Sequence, residues 1–176
     1  MTTPPDEPGA AAGPGGVAGE PRVALEDPRS AEARALIGAL DDYLDGLYPP
    51  DANYLLDVES LCAPEVSFFV ARLGGMALGC GALRVLDGRT GELKRMYVAP
   101  EARGLGIGRA ILGAIERRAA QLGLGELKLE TGTAQPEALG LYRTAGFRPC
   151  AAFAGYRPGP LNLFLAKTLA GGARRH

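Results

Sequence analysis

The sequence holds one histidine, and it is the last residue, His176. A Ser–His–Asp triad and a histidine general base are therefore excluded. Cysteine is scarce too: Cys62, Cys80 and Cys150 are an odd number without CxxC spacing, which argues against a disulfide framework or a zinc site, so no metal is expected. That usage fits a reducing cytoplasm. No pattern around the three thiols offers an activating base, so a cysteine acyl-enzyme is not expected, and they read as small buried residues. No apolar run approaches the ~20 residues of a membrane span, and no charged-then-apolar signal pattern opens the chain. An excess of one charge is missing as well. Nineteen basic against twenty acidic residues leave a formal charge of −1, so nothing draws the chain toward nucleic acid or an anionic membrane. Arg174, Arg175 and His176 make only a short basic end.

What is present suits one domain with a real core: 47% hydrophobic and 22% charged residues among 176. Residues 1–21 hold five Pro and five Gly, and such a composition buries too little surface to offset ordering entropy. The expected organisation is a disordered extension over 1–21, a folded domain over 22–170 and a flexible tail over 171–176. A first helix is predicted to start at Asp27-Pro28, with Leu36, Leu40, Tyr43, Leu44 and Leu47 at helical spacing and Tyr48-Pro49-Pro50 ending it. Residues 51–61 read as a short helix or an irregular loop. Strands over 66–73, 76–86 and 92–98, separated by Gly74-Gly75 and Asp87-Gly88, make an antiparallel meander.

An apolar stripe at Ile107, Ile111, Leu112, Ile115, Ala119 and Leu122 predicts a helix ending near Gly123. A strand follows over 126–131, where Leu127 and Leu129 alternate with Glu126, Lys128 and Glu130. Strand, helix, strand is a βαβ unit, so the strands at 92–98 and 126–131 should be parallel neighbours. A short helix over 136–145 closed by Gly146, then strands near 147–156 and 161–168, complete the chain.

The organising stretch is Glu92 to Arg109, ELKRMYVAPEARGLGIGR: a strand, a glycine loop and a helix start. Loop amides converging on a helix N-terminus make an anion site, glycines let backbone approach phosphate oxygens, and Arg103 and Arg109 add charge-assisted donors. A P-loop is excluded, because no Gly-Lys-Ser/Thr follows. The dinucleotide fingerprint needs a glycine where this chain has Arg109, and a Rossmann domain is led by a strand, where this chain is read as beginning with helices.

The spacing Arg103-x-x-Gly106-x-Gly108 after a strand ending in Val98-x-Pro100 resembles the acyl-CoA pyrophosphate loop of the GNAT superfamily of N-acetyltransferases. A second segment, Gln135 to Phe147, resembles the family's Asn-x-x-Ala-x-x-Leu-Tyr-x-x-x-Gly-Phe, with Gln135 where Asn is usual. The resemblance spans 27–169. It implies an α/β (α+β) GNAT fold: a mixed, mostly antiparallel sheet of about six to seven strands, helices on both faces and a splayed central parallel pair. It also implies transfer of an acetyl group from acetyl-CoA, as co-substrate, to a primary amine by direct attack.

The resemblance places the pyrophosphate at Arg103, Gly104, Leu105, Gly106, Ile107, Gly108 and Arg109. Backbone of Met96, Tyr97 and Val98 would pair with pantetheine and polarise the thioester carbonyl, although Met96 and Val98 also suit core positions. Gln135 would contact the co-substrate through an amide longer than the usual one. Tyr142 matches the tyrosine beside the thioester sulfur, a proton donor to the departing thiolate. Glu92 lies where some members carry a glutamate base; a solvated strand-end glutamate is the alternative.

The acceptor cleft would draw on Tyr48, Tyr54, Arg84, Lys94, Arg95 and Tyr156, by position only. Side chains alternate along a strand, so Lys94 and Arg95 should not both face it. One of them binding a substrate carboxylate would suit an amino-acid-like amine; a surface charge or a CoA phosphate partner is the other reading. A small-molecule amine is the preferred acceptor over a protein N-terminus or lysine. An idle acyl-CoA-binding sensor module stays open, as does a homodimer through exposed sheet edges or the last hairpin.

Overall fold

The computed structural model describes residues 19–170. Most of the extension expected over 1–21, and the tail expected over 171–176, lie outside the described residues. Seven strands form one sheet in the order β1-β2-β3-β4-β5-β7-β6. They are β1 (Arg22–Leu25), β2 (Val66–Leu73), β3 (Met76–Val85), β4 (Thr90–Val98), β5 (Glu126–Gly132), β6 (Arg148–Pro149) and β7 (Asn162–Thr168). Among the described residues only β4 and β5 pair in parallel; the other neighbours are antiparallel. Four helices flank the sheet: α1 (Ala31–Asp45), α2 (Val58–Leu61), α3 (Ile107–Gln121) and α4 (Pro136–Thr144). None of the described helices is long and apolar enough to cross a membrane.

Two cores follow from the strand alternation. Leu83, Leu93, Leu127, Leu129 and Leu165 point to one face and meet Ile107, Ile111, Leu112 and Ile115 of α3. Phe68, Val70, Cys80 and Ala82 point to the other and meet Ala33, Leu36 and Ile37 of α1. Helix α3 lies so close to the sheet that a Cβ on Gly81 would sit 2.7 Å from Ile111 Cγ2.

The structure corrects four expectations. A strand, β1, leads the domain instead of a helix. Four residues with little alternation in burial leave no periodic signal, and what holds them is pairing to β2 and the Arg72–Glu26 ion pair at 2.8 Å. The single parallel pair, not a leading helix, is therefore what sets this sheet apart from a doubly wound one. Helix α1 starts later than Asp27-Pro28. Asp27 instead accepts the Arg29 N–H at 2.8 Å in a turn, and Ser30 caps the helix by accepting from the Ala33 N–H at 3.2 Å. The strand expected over 147–156 is only two residues long. Cys150 still donates to the Phe164 carbonyl, but Ala154 (φ 49°) and Gly155 (φ 78°) turn the chain back, and Phe153 and Tyr156 fold over Phe164.

The fourth correction shapes the site. Cys80 pairs with Tyr97 and Ala82 with Lys94, so Arg95 and Met96 together oppose Gly81. This is a β-bulge, and Arg95 takes a left-handed φ of 58°. Alternation fails across a bulge. Lys94 and Arg95 both lie on the α1 face, while Met96 drops to the α3 face beside Gly81. Pairing of β4 with β5 stops at Leu93–Leu129, so the rest of β4 splays away from its parallel neighbour.

Candidate active site

The glycine loop follows directly from that splayed strand. A 3-10 turn at Pro100–Ala102 lifts the chain off β4, and Gly104 (φ 81°) and Gly106 (φ 79°) take left-handed conformations that a Cβ would strain. Gly106 caps α3 with no side-chain hydrogen bond, leaving the first-turn N–H groups of the helix facing outward. Arg103 and Arg109 are exposed at the rim, and the Arg103 guanidinium stacks over Tyr43 of α1 at 5.6 Å. Leu105 stands apart: its side chain points to solvent and its N–H donates to the Ala102 carbonyl at 3.4 Å.

Between this loop and α4 lies a cleft of about 450 Å³. Met96, Tyr97, Val98, Arg103, Gly104, Gly106, Ile107, Gly108 and Arg109 form one wall, and Gln135, Ala138, Leu141 and Tyr142 the other. The cradle is tight where it must be: a Cβ on Gly108 would meet Leu141 at 3.1 Å. Left-handed glycines, uncapped amides and two arginines lining a largely apolar cleft fit a phosphate-bearing thioester with a long neutral arm.

A second, smaller cavity of about 80 Å³ opens on the α1 face of the sheet and shares Leu40, Met96, Gln135 and Tyr142 with the first. Tyr48, Tyr54, Leu55, Lys94, Arg95, Glu130, Thr131 and Leu161 are among the other residues that line it. Tyr48 fixes its back wall: its hydroxyl accepts from the Ala134 N–H at 2.9 Å, and Gly132 lies against its ring. Tyr142 is buried at the junction, edge-on to Phe147 at a 5.8 Å ring separation. Burial raises its phenol above the ordinary value, so it stays protonated through the neutral range.

The expected acceptor residues divide. Lys94 and Arg95 are 8% and 6% exposed and line the small cavity. Lys94 Nζ donates to the Tyr54 carbonyl at 2.8 Å and to the Tyr156 hydroxyl at 2.7 Å. Burial lowers its pKa, with Glu92 and Glu130 opposing the shift. Arg95 pairs with Asp41 of α1. Arg84 pairs across strands with Glu92 and lines neither cavity.

Glu92 is 0% exposed and also lines neither cavity. Its Oε1 accepts from the Tyr156 hydroxyl, Lys94 Nζ stands 3.7 Å away, and its Oε2 has no partner among the described residues. Tyr156, packed edge-on to Tyr54 at 5.0 Å, therefore stands between Glu92 and the solvent side. Its own pKa is raised by burial first and by the Glu92 carboxylate second.

Sequence reasoning missed Glu130. It lies on β5 at the point where β4 splays away, half-buried, lining the small cavity, with its pKa raised by burial against the opposing charge of Lys94 and a hydrogen bond from Asn162. The signal was available: Glu126, Lys128 and Glu130 occupy the face opposite Leu127 and Leu129, and that face carries the pocket.

Comparison with known proteins agrees with this geometry. A family model described as the acetyltransferase (GNAT) family matches residues 33–147. The chain is 45% identical over 148 residues to a protein of Azospirillum brasilense named IAA acetyltransferase, covering 84% of this chain and 97% of that one. A candidate acyl-CoA N-acyltransferase from Klebsiella pneumoniae of known structure is 35% identical, with a TM-score of 0.72 over 85% of this chain and 98% of that one. The fold is shared with a GNAT family acetyltransferase from Elizabethkingia anophelis solved with acetyl-CoA bound, at 18% identity and a TM-score of 0.60, covering 85% and 99%. A glycine loop between a splayed strand and a helix, in a chain matched by that family model from α1 to Phe147, makes this protein a member of the GNAT family of acetyltransferases.

Proposed function

We propose that this protein moves an acetyl group from acetyl-CoA to the primary amine of a small molecule by direct attack within a ternary complex. The observation that carries the reading is the junction: a cleft suited to the thioester and a small polar cavity suited to an amine meet at Met96, Gln135 and Tyr142. A cavity of about 80 Å³ favours a small acceptor over a folded protein surface.

Acetyl-CoA supplies an activated acyl group on a thiol leaving group. The chain's residues supply the rest. Loop amides from Gly104 to Arg109, with Arg103 and Arg109, hold the pyrophosphate. Backbone of Met96 to Val98, released from β5 by the splay, pairs with the pantetheine arm, and an N–H at Met96 or Tyr97 stabilises the oxyanion. Glu130, as carboxylate, takes a proton from the acceptor ammonium, directly or through water, and frees the lone pair that attacks the carbonyl carbon. The C–S bond then breaks as Tyr142 gives its phenol proton to the thiolate sulfur. The nitrogen of the collapsing intermediate loses its second proton to water, the phenolate recovers one from solvent and Glu130 sheds the one it took, so the products are amide, thiol and one released proton. Glu92 acts one step back, holding Tyr156 and, through it, Lys94.

Thiol release from acetyl-CoA over a panel of amino acids, polyamines, aminoglycosides and peptides tests this. Release that depends on one small amine class and collapses in Tyr142→Phe supports it. Tight acetyl-CoA binding without release for any amine would favour an acyl-CoA sensor.

A further inference from the structure

Lys94 and Arg95 are two cations, each more than nine-tenths buried, placed side by side on one face by the β4 bulge and lining the same small cavity. Neither has its donors fully used. Two of the three Lys94 ammonium protons go to neutral oxygens, of Tyr54 and Tyr156, and the nearest carboxylate oxygen, on Glu92, lies 3.7 Å away, outside hydrogen-bond reach. Arg95 gives both terminal nitrogens to Asp41, while its buried Nε–H has no partner among the described residues. A buried donor left unpaired is costly, and a cationic one more so. Lys94, with an unused ammonium proton in a residue lining the cavity and the charge of Arg95 beside it, describes a binding site for an acceptor-only group.

The cavity limits what that group belongs to. At about 80 Å³ it has room for roughly five to eight non-hydrogen atoms, taking about 10–15 Å³ for each. Glu130 lines the same cavity, near enough to Lys94 for their charges to act on one another, and suits an ammonium. The mouth is apolar, with Tyr54, Leu55 and Leu161 each more than one-third exposed. Cation wall, anion wall and apolar mouth match the three parts of an α-amino acid with an apolar side chain.

We infer that the acceptor carries a carboxylate beside its amine, and that Lys94 binds that carboxylate. The substrate class is then a small amino acid, not a neutral amine, polyamine or aminoglycoside. This rests on the acetyltransferase reading above. On binding, the carboxylate takes the third proton of Lys94 and the ammonium faces Glu130, so Tyr54 and Tyr156 keep their hold on the same lysine.

The test compares, on the wild-type enzyme, apolar amino acids with their carboxamides and decarboxylated amines, each rate referred to the free-amine fraction. Removing one charge-assisted contact should lower kcat/KM by about 30-fold or more, so the acid should exceed its amide and amine by that factor. Lys94→Met, with its fold checked by acetyl-CoA calorimetry, should erase the preference. Amides or amines that match or exceed the acids would overturn the inference while leaving the acetyltransferase reading intact. A second arm needs no turnover: 4-methylpentanoate, titrated calorimetrically into the wild-type protein with acetyl-CoA, should bind, and should not bind Lys94→Met. If no amine of any class is acetylated, the acetyltransferase reading fails and this binding arm decides alone; absence of binding to the wild type overturns the inference.

Discussion

The two halves of the active site are built by different means. The cleft proposed for acetyl-CoA takes one wall from a single stretch, Met96 to Arg109, and works there through backbone: left-handed glycines, uncapped amides and a strand freed from its neighbour. The cavity proposed for the acceptor is made from side chains that α1, the 48–55 loop, the β4 bulge, β5 and Leu161 bring together from distant parts of the chain. The difference teaches where specificity can vary. Backbone recognition tolerates side-chain change as long as the loop survives, whereas each substitution in the acceptor cavity alters its chemistry.

Tyr142, lining both halves, gives the largest expected effect. Tyr142→Phe should lower kcat by about 100-fold, the scale of general acid catalysis, with acetyl-CoA affinity unchanged. A loss of affinity with kcat retained would make Tyr142 part of the cleft alone. Glu130→Gln should lower kcat by about 30-fold and change the pH profile. A base works deprotonated, and burial puts the Glu130 pKa above the usual carboxylate value, so wild-type turnover should fall as pH drops through that raised pKa, and the variant should lack that limb. The same limb surviving in Glu130→Gln and vanishing in Glu92→Gln would return the base to Glu92.

On the backbone side, Gly106→Val forces a β-branched residue to φ 79°. It should weaken acetyl-CoA binding by about 10-fold, as read by calorimetry, at a strain of about 1–2 kcal/mol. The smallest effect on chemistry is expected from Gly132→Ala. Its Cβ would lie 1.9 Å from the Tyr48 hydroxyl oxygen, so Tyr48 must shift and release the Ala134 N–H. Overpacking of this kind costs about 1–3 kcal/mol, visible as a lower Tm, with acetyl-CoA affinity held.

The same contrast decides how much of the molecule was legible in its sequence. The strand–loop–helix, the parallel β4–β5 pair and the α3 stripe could be read because each is local and periodic. β1 could not, because its four residues are held by partners 44 to 50 residues away. The bulge at Arg95 escaped for a related reason. Nothing in Lys94-Arg95-Met96 breaks a strand pattern; the extra residue is set by Gly81 opposite, and with it fails the rule that neighbours face opposite sides. Glu92 and Glu130 show the limit most sharply. Both are glutamates on adjacent strands facing the same side, and only the packing of Tyr156 over one and the splay beside the other separates a buried carboxylate from one that reaches the cavity.

The most direct test of direct transfer is an initial-rate study varying acetyl-CoA at several fixed concentrations of an accepted amine. Two halves that must be filled together before Tyr142 and Glu130 act predict intersecting double-reciprocal lines. Parallel lines, with acetyl retained on the protein after acetyl-CoA alone, would mean a covalent intermediate and contradict the account.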